Sequence, residues 1–166
     1  MGAGYHGGFG ATKGSSKVLK SGYQSSGGQN YTREQLVNFL DGKTSQSSEI
    51  ADKIRKGEIK LSVLGDELFE RAFGVNSDVV GIAIDNKIYL RRYSGTIHSD
   101  MVHEGTHAMD FLKGLPYEKI SSWDGEIKAY TAEHHFQKAS GLAVQFTNED
   151  EIQVHVWKNY RKKGGK

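Results

Sequence analysis

Apolar and polar residues along this chain change period several times, and the changes mark out its elements. Residues 1–30 carry no apolar pattern. Thr32-Arg33-Glu34-Gln35 is a capping-box start for a short helix bearing Leu36, Val37, Phe39 and Leu40, with Gly42 as its end. A second helix is expected over about 48–56, before Gly57. Residues 58–64 alternate, which predicts a strand with one wet face, and 66–73 form a short helix stopped by Gly74. Two apolar runs, 79–84 and 87–91, flank Asp85-Asn86, a two-residue hairpin signal. Ile97, Met101, Gly105, Ala108, Met109 and Leu112 then recur at helical spacing. Ser94 or Thr96 caps that helix, and Lys113-Gly114 with Pro116 stops it. Ser121, Ser122 and Asp124 open another helix that ends near Gly141. Residues 142–146 read as a short strand or a helix continuation. Thr147 to Asp150 cap a last helix carrying Ile152, Val156, Trp157 and Tyr160. Helices set apart from a small group of strands predict an α+β domain.

Composition sharpens the boundaries. At 166 residues one domain is expected. Nine of the 21 glycines fall in residues 1–30 among scattered serines, so 1–30 reads as a flexible arm or linker and 31–166 as the folded domain. A net charge of +2 implies no global field for polyanions. The basic tail 161–166 reads as a solvated chain end, which disfavours a nucleic-acid partner. Cysteine is absent, which excludes a disulfide framework and thiolate metal sites and leaves the compartment open. No apolar run approaches membrane length, and no secretory leader pattern is present.

Candidate chemistry lies in His103-Glu104-Gly105-Thr106-His107, an H-E-x-x-H pattern. Two imidazoles four residues apart share one helix face and can ligate one ion, while Glu104 stands where it can take a proton from water. The flanking positions are uncharged, as a packed helix requires, and Gly105 signals a close neighbour. A catalytic zinc site needs a third protein ligand. Glu126, in the run Gly125-Glu126-Ile127-Lys128-Ala129-Tyr130-Thr131-Ala132-Glu133, is the leading candidate. Glu133 is the alternative ligand, or an acceptor that orients a ligand histidine. His134 and His135 compete only if their helix enters the site more deeply. His98 is expected on the surface of the first turn.

H-E-x-x-H followed by a helix reading E-x-x-A-Y-x-A-E resembles the gluzincin metallopeptidases, and over residues 79–137 the chain is most similar to bacterial toxin-type members, lethal-factor-like or from polymorphic toxins. The resemblance implies a zincin-like fold: a small mixed or antiparallel sheet whose edge-strand hairpin packs on the H-E-x-x-H helix, beside a second, glutamate-bearing helix. It implies Zn²⁺ on His103, His107 and Glu126, with Glu104 as base and Tyr117 assisting the oxyanion. Tyr130, Tyr160 and His155 are other candidates for that last role. An extended peptide would add to the exposed hairpin edge. Arg91 and Arg92 near the cleft mouth would favour acidic substrates, or are simply a solvated pair.

The function expected is therefore a zinc endopeptidase acting on a protein or peptide, secreted or delivered as a module of a larger carrier polypeptide and matched by an immunity protein. The alternatives are a non-peptidase zinc hydrolase, a nucleic-acid-directed toxin, and a partner-binding domain without catalysis. The intact Glu104 argues against the last.

Overall fold

The computed structural model describes residues 14–18 and 30–164. The elements are β1 (Gly14–Val18), α1 (Arg33–Leu40), α2 (Ser45–Arg55), β2 (Lys60–Leu64), α3 (Asp66–Phe73), β3 (Val79–Ile84), β4 (Lys87–Arg91), α4 (Ile97–Leu112), α5 (Tyr117–Ile120), α6 (Trp123–Ser140) and α7 (Glu149–Gly164). The strands form one mixed sheet in the order β1-β3-β4-β2. β3 is antiparallel to both β1 and β4, whereas β2 runs parallel to β4. The expected α+β class holds.

Local chemistry sets most boundaries. The Thr32 hydroxyl accepts from Gln35 N–H while the Gln35 side chain accepts from Thr32 N–H, closing the capping box of α1. α2 starts earlier than its apolar period suggests, because Thr44 and Ser47 form a second such box. At the hairpin, Asp85 takes a left-handed φ of 56°, which a short polar side chain tolerates. Residues 142–146 form neither strand nor helix.

The sheet is covered on both faces. Ala83, Ile88 and Leu90 pack on Met101 and Val102 of α4, in a core completed by Leu36, Leu40, Ile50 and Ile54 of α1 and α2. Val79 and Ile82 turn to the other face and meet Phe69 and Phe73 of α3. A third cluster, Tyr130, Phe146, Ile152, Val156 and Tyr160, joins α6 to α7. Among the described residues, no helix is long and apolar enough to cross a membrane.

Several expectations need correction. The hairpin is not an edge: β3 and β4 are central strands, and among the described residues β1 and β2 hold the edges. β1 comes from within residues 1–30, so part of that arm belongs to the sheet; residues 1–13 and 19–29 lie outside the described residues. Arg91 is not at a cleft mouth. It is fully buried, donates to the carbonyls of Val79 and Asn76, pairs with Glu70 at 2.7 Å and covers the Phe69 ring. Arg92 is half-buried and donates to the Val63 carbonyl. His98 is half-buried between Tyr31 and Phe39, with ring centroids 4.7 and 4.1 Å away.

Two outcomes follow from this packing. At Gly125, in the first turn of α6, an added Cβ would lie 2.1 Å from the Ile120 carbonyl oxygen, which is backbone and cannot swing aside. Gly125→Ala should therefore lower stability by about 1–3 kcal/mol, despite the roughly 1 kcal/mol by which alanine favours a helix. A denaturant titration checks this, and an unchanged midpoint would sink it. His98 offers a pH signature. Burial, helped by Lys43, pushes its imidazole down to about 4, against about 6.5 in an unfolded chain. Below pH 6.5 the unfolded chain takes up a proton that the fold refuses. Stability should therefore decline from pH 6.5 to 4 and owe nothing to this group above that window. Melting curves of His98→Phe should show a shallower decline; parallel curves would contradict the assignment.

Candidate metal centre

α4 is buried along most of its length, which is why its H-E-x-x-H segment carries no exposed charge. Its core neighbours bring α6 alongside, and Ser122 caps α6 by accepting from Gly125 N–H. That start places Glu126 in the first turn, against the two histidines. Glu126 Oε1 lies 3.1 Å from His103 Nε2 and 3.4 Å from His107 Nε2. The three side chains are buried, and their ligand atoms lie within 4.8 Å of one another. Tetrahedral bonds of about 2.0–2.2 Å separate ligand atoms by about 3.3–3.6 Å, so the spacing suits a small divalent cation. Among the described residues this is the single group of three or more His, Asp or Glu side chains so arranged. His134 and His135 are outside it.

The 3.1 Å contact could instead be a proton shared between His103 and Glu126. Burial works against a charged His103, yet Glu126 and Glu133 together lift it to about 10 when only protons are considered. Burial likewise opposes a charged Glu126, but His107 and His103 hold its pKa below the usual carboxylate range. A proton leaves too much unsatisfied. His107 Nδ1 and both Glu104 oxygens are buried without a hydrogen-bond partner, and His107 Nε2 has only its long 3.4 Å approach to Glu126. Each such group costs about 1–3 kcal/mol, more when charged. A cation on Nε2 of both histidines and on Glu126, with solvent reaching Glu104, resolves most of this deficit. The donor set therefore fits a metal.

Glu104 lies at the other side of the cluster, under β3. Only Gly81 lets the strand come so close, because a Cβ there would stand 3.0 Å from Glu104 Cγ and 3.1 Å from Oε2. Gly105 serves α2 in the same way, since its Cβ would meet Ile50 Cγ2 at 2.7 Å. Burial raises the Glu104 carboxyl well above its ordinary pKa, opposed by the charge of His103.

Glu133, two turns beyond Glu126, accepts at 3.2 Å from His103 Nδ1 and so orients the ring that offers Nε2 to the cluster. Behind it the polar chain continues. Lys17 Nζ of β1 lies 3.0 Å from Glu133 Oε2 and 2.8 Å from Asp100 Oδ1, all buried. Asp100 also accepts from the hydroxyls of Ser94 and Thr96. Sequence reasoning missed Lys17 and Asp100. A lysine in a Gly/Ser-rich arm carries no local sign that it will be buried.

Tyr117 opens α5 half-buried, and burial raises its phenol above the ordinary value, opposed by Ser121 of its own turn. Tyr130 lies against the site: its ring is 4.3 Å from that of His103, and its hydroxyl is 3.1 Å from Tyr160 Oη and 3.3 Å from His155 Nε2. A groove of about 490 Å³ between α7 and the loop before it reaches this cluster at His155.

No known protein family matches this chain, and comparison with curated proteins and with solved structures likewise finds none that matches.

Proposed function

We propose that this protein is a zinc-dependent peptidase, with His103, His107 and Glu126 as ligands and Glu104 as the base. One observation carries the reading: a buried carboxylate without partners stands beside a three-donor cluster. A structural metal site has no use for such a group, whereas hydrolysis requires it. Two imidazoles and one carboxylate suit zinc, and three protein ligands leave a fourth position open. When bound, zinc would polarise the scissile carbonyl and acidify water.

The chain's own residues do the rest. Glu104, its basicity raised by burial, takes the proton from water and delivers it to the departing amine nitrogen. Glu133 holds His103 in the tautomer that presents Nε2. Tyr130 and His155, in place of Tyr117, offer donors to the carbonyl that develops negative charge. The role of an effector module, carried on a larger polypeptide and delivered to a target cell with a matching immunity protein, belongs to the same proposal and draws on the toxin-type resemblance alone.

Purified without chelator, the protein should contain about one zinc per chain. Incubated with a complex protein mixture, it should generate new amino termini that vanish after chelation and return with zinc. Absence of zinc, or identical termini with and without it, would end this reading.

A further inference from the structure

β1 covers the outer edge of β3, the strand that lies over Glu104. In the antiparallel register Lys17 stands opposite Gly81, whose missing side chain exposes the strand to the Glu104 carboxylate. Just past that pair the register breaks. Val18 N–H donates to the Tyr130 hydroxyl at 3.0 Å, and the Val18 carbonyl accepts from Tyr130 Oη at 2.9 Å and His155 Nε2 at 3.1 Å. An extended chain thus passes the candidate base with its next carbonyl gripped by two side-chain donors.

The lysine beside it occupies a pocket whose two acids also have partners of their own. Asp100 keeps the Ser94 and Thr96 hydroxyls, and Glu133 keeps His103 and Gln137. A buried cation between two acids is a poor means of stabilising a strand, since its desolvation offsets most of the attraction. It is an effective means of selection, because any occupant without a cation leaves two buried carboxylates uncompensated.

We propose that β1 is a built-in occupant of the peptide-binding edge, and that Asp100 and Glu133 form a lysine pocket for the peptide that displaces it. The choice of a peptide as ligand rests on the peptidase reading above. Tethered on the same chain, β1 competes at an effective concentration on the order of millimolar, so an incoming peptide must match its lysine to replace it.

The test measures binding rather than cleavage. In full-length, zinc-loaded Glu104→Gln protein, with and without Lys17→Ala, a dye-labelled peptide of sequence GSSKV is followed by fluorescence anisotropy. The Lys17→Ala chain should bind it at least tenfold more tightly than the chain that retains Lys17. Replacing the peptide's lysine by norleucine should cost at least tenfold. A folded Lys17→Ala chain that gains no affinity, or that ignores the lysine, overturns the proposal. Should Lys17→Ala fail to fold, hydrogen exchange on the unaltered chain decides. Amides bonding β1 to β3 should exchange at least a hundredfold faster than those of α4, and equal rates would make β1 a permanent strand. Failure of the peptidase reading looks different: wild-type protein cuts nothing, whatever these binding and exchange results show.

Discussion

Glu104→Gln is expected to keep its zinc and to lose cleavage by about 10²–10⁴-fold, the range in which a positioned general base contributes. Glu104 is not among the three convergent donors, so metal content should be unchanged. The amide has the shape of the carboxylate, and Gly81 leaves it the same space. It does not place a second uncompensated charge in the interior, so the fold should not suffer. What it cannot do is accept a proton from water and return it to the amine. Metal analysis and turnover on a peptide identified by cleavage profiling check both halves. Loss of zinc would make Glu104 a ligand, and undiminished turnover would remove it from the chemistry.

Glu126→Ala should weaken zinc binding far more than Glu133→Gln. Glu126 Oε1 is the oxygen closest to both imidazoles, and its removal reduces three donors to two. Glu133 meets the cluster through the far nitrogen of His103. Losing such a supporting partner typically costs about 10–100-fold in metal affinity. The Glu126 variant should exceed that range in competition with a chromogenic chelator and should show no measurable cleavage. The reverse order would transfer the third-ligand role to Glu133.

Within the site, the features readable from the sequence were those set by spacing along one helix. His103 and His107 share a face of α4 because four residues make about one turn. Glu126 and Glu133 share a face of α6 for the same reason, and Ser122 marked its start. Gly105 signalled a tight contact, and Ile50 is that contact. Tyr117 came from the resemblance alone, and the structure shows Tyr130, one helical turn beyond Glu126, as the tyrosine whose ring packs on His103. That side chain is fully buried, so its contact with the site is set by packing and carries no local sign. The Arg91 expectation failed because a strand-end arginine looks solvated until Val79, Asn76 and Glu70 are folded around it.

Legible in the chain itself were the main helices, the caps at Thr32 and Ser122, the β3–β4 hairpin, the α+β class and the three convergent donors; the expected Ser94 or Thr96 cap of α4 makes no capping hydrogen bond, and α5 carried no signal. Each legible feature is encoded in residues close together in the chain, through helical period, capping chemistry or turn residues. The order of the strands, the entry of Lys17 into the polar chain behind His103, and the grip of Tyr130 and His155 on Val18 came from the folded chain alone. Strand pairing and buried ion pairs join residues far apart, Lys17 with Asp100 and Glu133, Val18 with His155. Their partners are selected by the packing of the whole domain, and no local pattern records that choice.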